Sequence, residues 1–340
     1  MLKNIFRNII HLSLAQTKLN DLNGHDAERL SASSLTLALN ARISWASRKE
    51  DNAKTDLIIT MLHPWIENKV ETILTQIKSG NTYAKIFHSD KYILKIEKSK
   101  FKIFTKQNHH SLICWVNASE NDIYWFVIKA NAQFYRNVYG PSHKLSPATR
   151  FDLIRVINGF GDRNGGKGLH FTVRKKDSTS SFYKYNDVTF KTIRAIAKKE
   201  YNKLKKANFT SNIFGEIQIT NYGWRHMTRE SRWNDYKVSS YEIIPILSHV
   251  LTRSPSKHFI QNYWFESDKE YEYRKIEYLL EYHNIKKRDI DNKKVSKVDV
   301  FVKLIEVIKY PKEWQKKAQL SQLIERRVFF KSIYYKEKSS

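Results

Sequence analysis

A single cysteine, Cys114, among 340 residues excludes an intrachain disulfide framework and any metal site built from cysteines. It lies in an apolar run, residues 111–116, where a lone thiol reads as a small buried hydrophobe. Long hydrophobic runs are missing as well: nothing approaches the roughly 18 uninterrupted apolar residues that a membrane-spanning helix needs. Polar residues break every apolar run of residues 1–11, so the start reads poorly as a signal peptide. The cytoplasm is the expected compartment, without a membrane partner. Acidic residues are in the minority, 34 against 60 Lys and Arg, for a formal charge of +26. The excess runs along the whole chain and is not a basic tail. A charge of this size attracts polyanions and makes their binding salt-dependent, which puts nucleic acid first among partner classes.

What is present suffices for two cores, with 41% apolar and 13% aromatic residues in a chain longer than the usual single domain. The expected fold class is α+β. Domains are expected over residues 1–185 and 188–340, with residues 177–181 the most linker-like stretch. Apolar spacing of three and four predicts helices over residues 31–45 and 56–77, so that residues 1–80 read as helical. Residues 81–185 read as strand-rich, with short β-branched and aromatic runs at 83–87, 92–96, 101–105, 112–116 and 123–128 forming a meander packed on the leading helices.

Glycine is scarce, and half of the ten glycines fall within residues 159–168. The spacing from Gly161 to Gly166 and Lys167 fits a phosphate-binding loop. However, Gly168 stands where a Ser or Thr would ligate magnesium, and residues 169–173 continue as a strand. A turn between a helix and a strand is the better reading, with a backbone cradle for RNA phosphates as the alternative. Residues 189–207 form a basic helix with Phe190, Ile193, Ala197 and Leu204 along one side and Lys198, Lys199, Lys203, Lys205 and Lys206 mostly on the other. A strand over 213–219, helices from Trp224 and over 241–251, and strand-like runs at 273–283, 298–308 and 328–335 complete the chain, the first two of those runs reading as a hairpin, although 273–283 is long enough to be a helix instead.

The densest chemistry lies in residues 223–232, where His226 stands among Arg225, Arg229 and Arg232 with Glu230 as the lone carboxylate. Guanidiniums hold an oxyanion while an imidazole moves a proton near neutral pH. On a continuous helix His226, Arg229 and Arg232 share one stripe. In the last strand, strict alternation sets Phe330, Ser332 and Tyr334 on one side.

Residues 223–229 (Gly-Trp-Arg-His-Met-Thr-Arg) and 329–334 (Phe-Phe-Lys-Ser-Ile-Tyr) are the marks by which residues 188–340 resemble the phage-associated nucleases of the barnase, EndoU, colicin and RelE superfamily. The resemblance implies helices packed on one face of a small antiparallel sheet, metal-independent cleavage of RNA, and a site on the open face. It implies His226 as general acid or base, Arg229 on the scissile phosphate, and Ser332 as a hydrogen-bond donor. Tyr334 would stack on a base or share the hydroxyl role. Arg225, Arg232, Arg274, Lys331, Lys198 and Lys199 are the further RNA-binding candidates. The function so implied is that of a toxin-like or phage-conflict endoribonuclease acting on RNA, tRNA included, without a cofactor, and partnered by an inhibitor or antitoxin protein.

Metal-dependent chemistry is less well supplied. Asp235 and Lys237 have the acid-x-lysine spacing of DNA-cutting enzymes but lack the strand and second carboxylate that hold magnesium. His109 and His110 lack partners at ligand spacing. The competing reading is a non-enzymatic RNA- or DNA-binding protein that uses aromatic stacking and charge.

Overall fold

The computed structural model describes residues 16–47, 55–80, 82–88, 91–106, 108–117, 120–133, 138–158, 166–173, 188–289 and 295–337. The class is α+β, and the chain divides into two compact units. One comprises residues 1–63, 68–153 and 314–321, the other residues 64–67, 154–313 and 322–340. The division thus falls after Leu153 rather than at residue 185. Residues 154–158 and 166–173 go with the second unit because Arg155 pairs with Glu306 and residues 170–173 pair with a strand of that unit.

In the first unit, α1 (Gln16–Leu39) packs on a five-stranded sheet ordered β1-β2-β3-β6-β7, where β1 is Ala41–Trp45, β2 Leu57–Leu62, β3 Val70–Ser79, β6 Ser111–Asn117 and β7 Asp122–Ile128. A second sheet, β4 (Ala84–His88), β5 (Lys91–Leu94) and β8 (Val138–Tyr139), and the helix α2 (Lys98–Lys106) complete the unit. The helix expected over 56–77 is in fact the β2–β3 hairpin. Leu57, Ile59 and Met61, like Ile73, Thr75 and Ile77, are buried at every second position, which is strand spacing. Conversely, the strand expected over 101–105 lies within α2. Phe101 and Phe104, three apart, both reach the cluster of Tyr92, Ile113 and Trp115, as one helix face does. The expected simple meander fails too, because β6 runs parallel to β3 while β4 and β5 leave for the smaller sheet.

The helix α3 (Thr149–Ile157) leads from the first unit into the second. There β12 (Lys257–Ser267), β13 (Tyr271–Asp289), β14 (Val295–Pro311) and β15 (Glu325–Glu337) form an antiparallel sheet, and β9 (His170–Val173) adds in parallel to the end of β13. Residues 159–165 and 177–181 lie outside the described residues. Gly166–Gly168 form a turn that does lead into a strand, β9. The helices α4 (Val188–Leu204), α5 (Asn221–Thr228), α6 (Asn234–Ile243) and α7 (Leu247–Leu251), with the hairpin β10 (Phe209–Ser211) and β11 (Gly215–Ile217), share one core with the sheet. Alternate residues of β13 and β14, Ile276, Tyr278, Leu280, Val300, Val302 and Leu304, are buried against Ala197, Tyr201, Trp224, Met227, Tyr241 and Leu247. By alternation Glu277, Glu281, Phe301 and Lys303 take the opposite face. A short helix, α8 (Leu320–Leu323), precedes β15.

The last strand is not regular. Leu304 pairs with Phe330 and Lys303 with Ser332, which leaves Lys331 as an extra residue in a β-bulge. A bulge reverses the alternation beyond it. Phe330 therefore faces the helices, fully buried, whereas Ser332 and Tyr334 pair with Lys303 and Phe301 on the other face. The expectation that Phe330 shares a side with Ser332 and Tyr334 is corrected by that one residue.

Candidate active site

The segment that carries His226 is pinned to the edge of β15 before it becomes helical. The Gln218 amide donates to the Val328 carbonyl at 2.8 Å, and the Phe330 amide donates to the Gln218 carbonyl at 2.9 Å. Thr220 then caps α5, its hydroxyl accepting from the Tyr222 amide at 3.3 Å, which satisfies one of the free amides of the first turn. Gly223 lets this helix lie directly on β15: a Cβ there would stand 2.8 Å from the Phe330 carbonyl oxygen and 2.6 Å from the Tyr201 hydroxyl. One turn later His226 emerges half-buried, with its ring stacked 6.2 Å from that of Tyr222.

The helix stops at Thr228, so the expected stripe of His226, Arg229 and Arg232 does not exist. Arg229 is the C-cap with extended backbone, φ −56° and ψ 145°. The turn that follows returns Arg232, whose amide donates to the Arg229 carbonyl at 3.1 Å and whose guanidinium donates to the Met227 carbonyl at 3.3 Å. Both charges still act on His226. Its pKa is lowered to about 4, first by burial and then by Lys331, Arg229 and Arg232, with Glu277 opposing. At neutral pH the imidazole is neutral and able to accept a proton.

Lys331, displaced by the bulge, donates to the Glu277 carboxylate at 2.7 Å. Asn262 donates to the same oxygen at 3.2 Å, and Lys303 lies 3.6 Å from the other oxygen. Glu277 is buried. Burial pushes its carboxyl up, but the hydrogen bonds from Lys331 and Asn262 and the charges of Lys331 and Lys303 outweigh that and leave it below the usual carboxylate value. Arg232 also stands over the Tyr334 ring at 6.0 Å. Tyr334 in turn stacks on Phe301, centroids 5.1 Å apart and planes at 14°, and meets Tyr236 edge-on at 5.4 Å. The arrangement sets Lys303 and Lys331 against the carboxylate of Glu277, with Lys331, Arg229 and Arg232 acting on one neutral imidazole and an aromatic shelf beside Arg232. Such a group of cations attracts an anion, and the rings beside it offer a stacking surface.

Several sequence-derived candidates are placed differently. Arg274 is buried, with its guanidinium 3.7 Å from Glu306. It belongs to a buried ion cluster in which Arg155 grips Glu306 with two hydrogen bonds of 2.7 and 2.8 Å and Arg326 adds one of 2.7 Å, so it is not an RNA contact. Ser332 is 2% exposed, too enclosed to donate to a bound phosphate. Lys198 lies over the Trp224 ring at 4.5 Å, and Lys199 and Arg225 are exposed; none of the three is among the charges acting most on His226. Lys237 is buried and donates to the Glu230 carbonyl at 3.3 Å, so the acid-x-lysine pair is structural. His110 accepts the Ala130 amide at 3.1 Å, a packing role.

Sequence reasoning missed Glu277, Lys303, Asn262, Phe301 and Tyr236. The signal for two of them was available, since Glu277 and Lys303 sit in the middle of long strands at the positions that alternate with apolar residues. No protein-family model matches the chain, and no curated protein is similar to it in sequence.

Proposed function

We propose that the second unit is a metal-independent endoribonuclease with its site at the bulged edge of β15. One observation carries the reading: a neutral, half-buried histidine has Lys331, Arg229 and Arg232 acting on it, and Lys331 together with Lys303 faces a single buried carboxylate, Glu277. In the proposed step His226 takes the proton of a ribose 2′-hydroxyl as its oxygen attacks the adjacent phosphorus. Arg229, Arg232 and Lys331 stabilise the charge that builds on the non-bridging oxygens. The bond to the 5′-oxygen breaks and that oxygen takes a proton from solvent water, leaving a 2′,3′-cyclic phosphate and a 5′-hydroxyl, while the protonated His226 returns its proton to solvent. Tyr334 and Phe301 hold a flanking base by stacking. RNA, tRNA included, is the proposed substrate, in a toxin-like or phage-conflict setting with an inhibitor protein as partner and the first unit as the part that restrains, targets or delivers the nuclease.

The test is incubation of total RNA and of tRNA with the full chain in EDTA. Fragments ending in cyclic phosphate that vanish with His226→Ala support the proposal, and undiminished cutting by His226→Ala removes the assignment. The burial of Ser332 favours a second reading, an RNA-binding surface without catalysis. Salt-dependent RNA binding with no cleavage in any buffer selects it.

A further inference from the structure

The sheet of the second unit ends in an unguarded edge. Among the described residues no strand pairs with the outer side of β12. A free edge presents unpaired amides and carbonyls, and proteins ordinarily guard it with charged residues, proline or a very short strand. β12 runs for 11 residues, and between Lys257 and Glu266 it has no Lys, Arg, Asp, Glu or Pro. Instead it presents Phe259, Ile260, Trp264 and Phe265, each between 38% and 55% exposed.

These four side chains do not share a face. His258, Ile260, Tyr263 and Phe265 stand opposite residues of β13 that are buried on the helix side of the sheet. Lys257, Phe259, Trp264 and Glu266 stand opposite Glu281, Leu279, Lys275 and Tyr273 on the open side. Large apolar groups exposed on both sides of one edge suit an added strand, which covers both sides at once. A ligand lying on one face would cover half of them.

The bulge in β12 decides which strand fits. Directly opposite residues of an antiparallel pair point to the same side of the sheet. A regular strand paired with its own copy therefore matches odd positions with odd and even with even. In β12 the register with β13 shifts between Ile260 and Asn262 and leaves Gln261 as an extra residue, which reverses the alternation in the second half. A copy of β12 now fits when odd positions meet even ones. The register centred between Gln261 and Asn262 satisfies this all along the strand. It puts Lys257 opposite Glu266 and Phe259 opposite Trp264 on the open side, and His258 opposite Phe265 and Ile260 opposite Tyr263 on the helix side. Opposite charges and aromatic pairs are favourable cross-strand neighbours, and a two-fold contact makes each pair twice.

We propose that this chain forms a two-fold dimer through β12, the two edges joining antiparallel in that register into one continuous sheet. The partner is a second copy because the strand is complementary to itself in charge, ring placement and side. Glu277 stands opposite Asn262 on the neighbouring strand, so the two Glu277 carboxylates would lie three strand spacings apart, about 14 Å, on one open face. The proposal does not depend on cleavage by the second unit.

The test is sedimentation velocity of the full chain from micromolar to near-millimolar concentration. The expected result is a reversible monomer–dimer equilibrium. Lys257→Glu and Glu266→Lys each set like charges opposite one another and should weaken the dimer tenfold or more, with the circular dichroism spectrum unchanged. The double variant Lys257→Glu/Glu266→Lys restores opposite charges in the reverse order and should recover the dimer. An equimolar mixture of the two single variants should form a heterodimer tighter than either homodimer, which no other register predicts. A monomer at every concentration overturns the proposal and leaves the edge to a strand of a different protein. A dimer that ignores the single reversals, or that the double variant fails to restore, overturns it as well, because the contact would then lie elsewhere.

Discussion

Lys331 reaches the buried carboxylate of Glu277 at 2.7 Å because it is the extra residue of a bulge, and the same ammonium is the strongest of the charges that depress His226. A single backbone irregularity thus sets two ionisation states. Replacing Lys331 with Met should raise the His226 pKa from about 4 towards its unperturbed value near ~6.5, while Glu277 loses its main hydrogen-bond donor. The measurement is an NMR pH titration of the His226 ring. On the proposed mechanism cleavage falls as well, by about 10²–10³, the usual cost of removing one donor to a developing oxyanion. An unmoved His226 titration in Lys331→Met would show that burial, with Arg229 and Arg232, depresses it without Lys331.

Stability should depend on pH through the same histidine. Folding holds the His226 pKa at about 4, whereas the unfolded chain binds that proton near pH ~6.5. As the pH falls, the unfolded state is protonated first and gains relative to the fold. The contribution of His226 is therefore complete above pH ~6.5 and is lost as the pH drops towards 4. Urea midpoints at pH 7, 6 and 5 should decline more steeply in the parent than in His226→Gln. Identical slopes in the two proteins would contradict the depressed value.

The legible and illegible parts of this chain separate along one physical line. Alternation found most strands and three-four spacing found α4, because each pattern spans an element whose neighbours are local in sequence. Residues 56–77 misled because β-branched residues at strand spacing also match a helical template over short windows. His226, Arg229 and Tyr334 were visible as chemistry. What sequence could not show was the bulge at Lys331, which depends on β14 and α5 pressing on one strand, and with it the choice between Phe330 and Ser332 for the core. Arg274 misled for a similar reason: its carboxylate partner, Glu306, lies in the next strand and is buried.

Gly223 should resist substitution even though it lies inside a helix. Replacing a mid-helix glycine with alanine ordinarily stabilises by about 0.5–1 kcal/mol. Here the new methyl would stand 2.6 Å from the Tyr201 hydroxyl and 2.8 Å from the Phe330 carbonyl oxygen, and overpacking of this kind costs about 1–3 kcal/mol. The clash outweighs the propensity gain, and Gly223→Ala should lower stability in chemical denaturation. Since α5 would have to lift from β15, the NMR signal of the His226 ring should shift too. A stabilised variant would mean that the contact between α5 and β15 is looser than these distances state.

The Glu306 cluster provides the largest expected stability effect. Burial alone would raise its carboxyl, and the Arg155, Arg326 and Arg274 guanidiniums outweigh burial and hold it well below the usual range. The Tyr278 hydroxyl donates to it as well, at 3.1 Å. Three cations meet on one carboxylate, so deleting that carboxylate leaves guanidiniums buried without their counter-charge. Breaking a buried pair from one side costs about 3–5 kcal/mol, and Glu306→Ala should fall at or above that range or fail to fold. Arg274→Met is the informative companion. Arg274 makes the longest of the three contacts, 3.7 Å, and its removal reduces the mutual repulsion of the guanidiniums while Arg155 and Arg326 still neutralise Glu306. Arg274→Met should therefore cost well under half of what Glu306→Ala costs in urea denaturation, and it should leave RNA affinity unchanged, because the side chain it replaces is buried in the core. A loss of RNA binding in a folded Arg274→Met protein would return Arg274 to the nucleic-acid interface.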